Sequence, residues 1–131
     1  MNKQTVTING DNFTDLESFY DEIDRVLTKN LDWQTGHNLD AFNDLLRGGF
    51  GVYEYEEPII LKWNRSNESR NKLGWDETIK YVTDKLKTCH PSNVESVKAD
   101  LELTKQRKGQ TLFELIVDII KSHEHITLEL T

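Results

Sequence analysis

The order of patterned segments predicts an α/β fold in which a three-stranded parallel sheet is packed by helices. Three observations lead there. Short β-patterned segments occur near the start, the middle and the end of the chain. Helical periodicity fills both intervals between them. The middle segment, Pro58-Ile59-Ile60-Leu61-Lys62-Trp63, is an almost unbroken apolar run, the pattern of a strand buried on both faces. Strands joined by helical crossovers run parallel. No repeat, low-complexity tract or interdomain linker divides the chain, so a single domain over residues 1–131 is expected.

Taken in order, Thr5-Val6-Thr7-Ile8 alternates, and Asn9-Gly10 ends it as a turn signal. Thr14-Asp15-Leu16-Glu17 reads as a capping box, in which Thr and Glu side chains satisfy orphan backbone donors at a helix start. Leu16, Phe19, Tyr20, Ile23, Val26 and Leu27 then recur at helical spacing, giving a helix over about 14–28. A second, shorter helix follows Gly36-His37-Asn38 and stops at Gly48. Its Leu39, Phe42 and Leu46 share one face, and Asp40, Asn43, Asp44 and Arg47 the other. Residues 67–72 suit a short helical turn. Trp75, Ile79, Val82 and Leu86 predict a helix over roughly 76–88. Ser92 to Glu95 reads as a second capping box, opening a helix with Val97 and Leu101 that Gly109 closes. These two helices form an αα-hairpin, about 75–109, inside the last crossover. Thr111-Leu112-Phe113-Glu114 is a third box, opening a helix that buries Leu112, Leu115, Ile116 and Ile119. Ile126-Thr127-Leu128-Glu129-Leu130 alternates as the last strand.

Charge narrows the function. The net charge of −7 argues against nucleic acid or an anionic membrane as partner, since both select Lys- and Arg-rich surfaces. The one cysteine, Cys89, permits no intrachain disulfide. No membrane-spanning run or signal-type apolar segment is present, so a cytoplasmic protein is expected. Catalytic signals are thin. His123-Glu124-His125 brings two imidazoles together without a third ligand at a recognised spacing, and reads as surface loop. Cys89-His90 reads as a helix end rather than an activated nucleophile. Gly48-Gly49-Phe50-Gly51 does not precede a helix and so is no phosphate loop. No metal, no cofactor and no enzymatic role are expected.

The acidic face of the short helix is the better lead. Asp40 and Asp44 are an i, i+4 like-charge pair costing a few tenths of a kcal/mol. Asp44, near the helix C-terminus, is also opposed by the helix dipole. Folding does not ask for this pair; a cationic partner would. Over 32–57 the acids are Asp32, Asp40, Asp44, Glu54, Glu56 and Glu57 against Arg47 alone, a local charge of −5. Trp33, Phe50, Tyr53 and Tyr55 lie among them. Carboxylates interleaved with aromatics suit a protein interface. A solvated acidic loop with its aromatics folded inward fits the same composition.

At these residues the chain resembles the barstar family, intracellular inhibitors of small bacterial ribonucleases. The resemblance rests on Gly36, Asn38, Leu39, Asp40, Ala41, Phe42, Asp44, Leu46 and Gly48. It extends to Val6-x-Ile8-Asn9-Gly10, Pro58-Ile59-Ile60-Leu61-x-Trp63 and Ile126-Thr127-Leu128-x-Leu130. Order and spacing agree over 5–74 and 110–131, while the hairpin is an insertion relative to the smallest members. The resemblance implies a barstar-like fold and a bacterial immunity protein that neutralises a basic ribonuclease toxin, one to one and as a monomer when free. Asp44 and Asp40 match the helix acids that enter the toxin's active site, Asp44 at the dominant position. Gly36 and Asn38 match the loop into that helix, Gly48 its end, and Asp118 an acid on the last helix. Asn43 replaces a tryptophan, Gln34 a tyrosine and Ser122 an acid, while Phe50 stands in for an interface tryptophan. These departures leave a second expectation open, that the same fold neutralises a non-ribonuclease effector through the 49–57 loop or the hairpin.

Overall fold

The computed structural model describes residues 3–31 and 35–131. Asp32, Trp33 and Gln34 therefore lie outside the described residues. The elements run β1 (Gln4–Asn9), α1 (Leu16–Leu27), α2 (Leu39–Leu46), β2 (Ile59–Asn64), α3 (Ser66–Lys72), α4 (Trp75–Thr88), α5 (Val94–Lys105), α6 (Leu112–Lys121) and β3 (Ile126–Leu130). The sheet is parallel in the order β1-β2-β3. In register, Val6 lies beside Leu61 and Leu61 beside Leu128, while Ile8 lies beside Trp63.

That register sorts the side chains into two faces. Val6, Ile8, Ile59, Leu61, Trp63 and Ile126 are buried under the helices. Thr5, Thr7, Ile60, Lys62, Thr127 and Glu129 take the opposite face and are half-buried or exposed. The expectation that β2 is covered on both faces is therefore corrected: its burial alternates strictly. Ile60 and the aliphatic stem of Lys62 cover the open face without a second helical layer, which is why the run looks continuously apolar.

Trp63 is the centre of the core. Its ring stacks on Phe19 at 5.7 Å and meets Phe113 at 5.1 Å and Phe13 at 6.4 Å. Its indole N–H, which burial would otherwise leave unsatisfied, donates to Ser69 Oγ at 3.0 Å.

Helix ends show where local chemistry competes. At α1 the box sits one residue later than Thr14: Asp15 Oδ1 accepts from Ser18 N–H, and Ser18 Oγ accepts from Asp15 N–H. Both Thr14 and Asp15 could cap; a carboxylate is favoured at the positive end of the helix dipole. The box expected at Ser92 does not form. Ser92 is inside a 3-10 turn, its N–H donating to His90 Nδ1 at 3.1 Å, and Asn93 makes no side-chain cap. The Thr111–Glu114 box forms as expected. Helix α5 closes before Gly109: Arg107 takes φ +57°, with Lys108 N–H donating to Leu103 C=O and Arg107 N–H to Thr104 C=O, a Schellman closure. Helices α4 and α5 pack as the expected hairpin. Among the described residues no helix is long and apolar enough to cross a membrane.

Candidate functional site

Helix α2 has only eight residues, too few to be stable alone, so its surroundings hold it. Asn38 Oδ1 caps it by accepting from Ala41 N–H at 2.7 Å. Phe42, Leu45 and Leu46 are buried against the core; Leu39, expected on that face, is half-buried in the first turn. At the far end the Leu46 carbonyl, orphaned by helix termination, accepts from Tyr53 O–H at 2.8 Å and from His125 Nε2 at 2.9 Å. Gly48 then turns at φ +91°, where a Cβ would lie 2.3 Å from the Glu54 carbonyl oxygen. Only glycine fits there.

These supports leave one face of α2 open. Asp40 and Asp44 are exposed, and neither carboxylate has a hydrogen-bond or ion-pair partner among the described residues. Asp44 borders a hollow of about 230 Å³ shared with Thr35, Gly36, Ala41, Leu45 and Phe50. Gly36, Asp44 and Phe50, chosen from sequence, thus meet around one concavity. Phe50 is brought there by its backbone, whose C=O accepts from Lys29 N–H at 2.9 Å beyond the end of α1. Asp40 lies on the side of α4: burial first, and the Asp40 charge second, push the Tyr81 phenol upward. Asn43 instead faces a polar cleft of about 520 Å³ with Arg47, Glu56, Ser122, Glu124 and the two histidines. Asp118 is exposed on α6, and its Oδ2 accepts from Gln110 Nε2 at 2.5 Å. Gly48 is buried where the chain turns away from α2, against Tyr53 and the Glu54 carbonyl.

Several expectations are revised. Tyr53 is 5% exposed and belongs to the core, whereas Tyr55 is 61% exposed. The loop therefore divides, with one aromatic folded inward and one presented to solvent. His123 and His125 are not loose loop residues. They are half-buried, edge to face at 5.6 Å, and both reach α2, His123 through Asn43 Oδ1 at 2.7 Å. Burial, with His125 and Arg47 beside it, pulls the His123 pKa down. Cys89 ends α4, with its thiol toward the Leu86 carbonyl, and His90 bonds Ser92, so the pair forms no dyad. Among the described residues no group of three or more His, Cys, Asp or Glu side chains could hold a metal.

A further acidic group lies on α1, outside the segment 32–57. Glu17, Asp21 and Asp24 of α1 line up at i, i+4 and i+7 and converge on His37, just ahead of α2. Their i, i+4, i+7 spacing is the signal the sequence carries, on the face of α1 opposite its apolar residues.

A short, capped helix presenting two unpartnered aspartates from a parallel sheet defines an α/β protein with an acidic face and no assembled catalytic group among its described residues. The chain belongs to the Barstar (barnase inhibitor) family, whose sequence model matches residues 3–96. Proteins of that family are non-enzymatic inhibitors. The match includes β1, α1, α2, β2, α3 and α4 and ends at the start of α5. No curated protein matches the chain.

Proposed function

We propose that this chain is a bacterial immunity protein that binds a cognate basic ribonuclease toxin one to one in the cytoplasm and occludes its active site with α2. The observation that carries this reading is the pair of exposed carboxylates, Asp40 and Asp44, left without intramolecular partners on a helix whose other face is fully engaged. Ribonucleases hold RNA phosphate with cationic side chains. A carboxylate offered to those groups makes charge-assisted hydrogen bonds in place of the phosphate. In this reading Asp44 reaches in first and Asp40 second; Gly36 and Phe50 line the hollow beside Asp44, Asn38 caps the helix and Gly48 ends it, and Asn43 and Asp118 add outlying contacts. No bond is made or broken by this chain. Charge-steered, hot-spot-dominated binding is the known energetics of this family's complexes, so that picture is taken over from the family.

Co-purification with the product of a neighbouring toxin-like reading frame, followed by an RNA-cleavage assay, tests the reading. Cleavage should stop at a one-to-one ratio. Undiminished cleavage by a stably bound partner would refute active-site occlusion.

A second reading, binding of a non-ribonuclease effector through the 49–57 loop or the hairpin, draws on the exposure of Tyr55 and the nearness of α4 to Asp40. Loss of binding in Tyr55→Ala with Asp44→Ala silent would favour it. Tyr53 cannot serve in that test, because it is part of the core.

A further inference from the structure

His37 stands in the segment 35–38 that leads into α2, and both of its ring nitrogens face carboxylates of α1. Nδ1 lies 2.5 Å from Glu17 Oε1, and Nε2 lies 3.0 Å from Asp24 Oδ2 and 3.8 Å from Asp21 Oδ1. The ring leans over Tyr20, centroid to centroid 5.5 Å. Two residues earlier, Thr35 Oγ1 donates to the other Asp24 oxygen. A neutral imidazole has one N–H, so it satisfies one carboxylate and turns a lone pair on the other. Only the imidazolium donates to both.

We propose that His37 acts, as an imidazolium, as a positioning residue of the toxin-binding face, its charge locking segment 35–38 onto α1. Its effect on binding rests on the reading of α2 given above; the lock itself belongs to the free chain. Its neighbours explain the reach. Asn38, the next residue, caps α2, and Gly36, the previous one, lines the hollow beside Asp44. Movement at residue 37 therefore disturbs both the helix start and the rim of the site.

The titratable groups around His37 agree on the sign. Glu17, Asp21 and Asp24 face it from α1. Tyr20 of the same helix is held neutral by burial, which pushes its phenol up, and Tyr81 of α4 is likewise raised by burial first and Asp40 second. Arg25, the basic residue in the last turn of α1, is engaged with buried Glu22. The Glu17 hydrogen bond, and after it that of Asp24, raise the imidazole from its ordinary value of 6.5 against a partial opposing effect of burial. A raised folded-state pKa stabilises the lock fully below about pH 6.5, and the lock is lost as pH rises through the folded value. Deprotonation leaves three carboxylates facing one another, so the face becomes more acidic while its edge loosens. The dissociation rate should therefore rise with pH, whereas steering of a basic toxin should not weaken.

The test compares the wild type, His37→Gln and the double variant Glu17→Gln/Asp24→Asn. In the free protein, the His37 ring is titrated by NMR, with amide exchange followed over residues 36–41. Association and dissociation rates with the ribonuclease are then measured at about pH 6 and about pH 8.5, either side of the ordinary imidazole range. The expected midpoint lies above 6.5 in the wild type and returns toward that value in the double variant. Between the two pH values the wild-type dissociation rate should rise about two- to fivefold more than that of His37→Gln, the size of a partly exposed ion pair. The change in association rate should be the same in both. A midpoint at or below the ordinary value, or the same pH dependence of dissociation in both proteins, overturns the proposal. If Asp44→Ala leaves the complex intact while His37 titrates high and exchange follows it, the functional reading fails and the lock on the segment stands.

Discussion

Asp40 and Asp44 make no hydrogen bond or ion pair among the described residues, and the buried Glu22 of α1 makes the contrast plain. Glu22 is 3% exposed, yet Arg25 Nε, Asn9 N–H and Asn12 Nδ2 saturate its carboxylate at 2.7, 2.8 and 3.1 Å. Burial alone would raise its pKa, but the Arg25, Asn9 and Asn12 hydrogen bonds together lower it below 4.5. A depressed folded value means that Glu22 stabilises the protein above about pH 4.5 and that this is lost as pH falls through the folded value. Glu22→Ala, which removes the acceptor of Asn9 N–H, Asn12 Nδ2 and both bonding nitrogens of Arg25, should cost about 2–4 kcal/mol by chemical denaturation at neutral pH, and it should flatten the acid limb of stability. His37 and His123 titrate in opposite senses. His37 stabilises from below, and its contribution fades as pH rises; His123, pulled down, stabilises above about pH 6.5, and its contribution fades as pH falls. At this scale the sequence was legible where chemistry is local. Gly48 as a stop follows from residue type alone, and the Thr111–Glu114 box from residue type and spacing. The His123 and His125 contacts span 79 and more positions, and no local pattern signals them.

Helix α2 illustrates how a short, marginal element is held in place by its surroundings. Asn38→Ala should cost about 1 kcal/mol through the lost cap. Tyr53→Phe should cost a similar ~1 kcal/mol, since the Leu46 carbonyl keeps its His125 donor. Thermal unfolding reads both. If α2 is the toxin-binding face, Asn38→Ala should also weaken toxin binding by loosening the start of that helix, whereas Tyr53→Phe should bind almost normally. Most elements could be read from periodicity, because their apolar faces are regular. The misplacements concern ends and faces. Thr14 and Asp15 are both competent caps; Ser92 is already committed to a 3-10 turn. A strand with Ile60 and Lys62 on its open face looks buried on both sides until the helices are seen to occupy only one. The Schellman closure at Arg107 was hidden because glycine at 109 is the more obvious terminator.

For the whole molecule, charge is distributed unevenly. The α1 acids Glu17, Asp21 and Asp24 gather on His37, in the segment that leads into the helix bearing Asp40 and Asp44, and on the proposed reading both groups steer a basic partner. Its association rate should fall at least about tenfold between low ionic strength and about 0.5 M salt, with little change in dissociation. Stopped-flow mixing at several salt concentrations measures this, and a salt-independent rate would argue against steering. On the proposed function, Asp44, exposed and unpartnered at the edge of the hollow, carries the inhibition. The most direct measurement is the dissociation constant of Asp44→Ala for the cognate ribonuclease, alongside its ability to stop RNA cleavage. Hot-spot status predicts a loss of at least about 2 kcal/mol, roughly thirtyfold, with cleavage restored at ratios where the wild type is fully inhibitory. Binding within ~1 kcal/mol of the wild type, with cleavage still blocked, would contradict it.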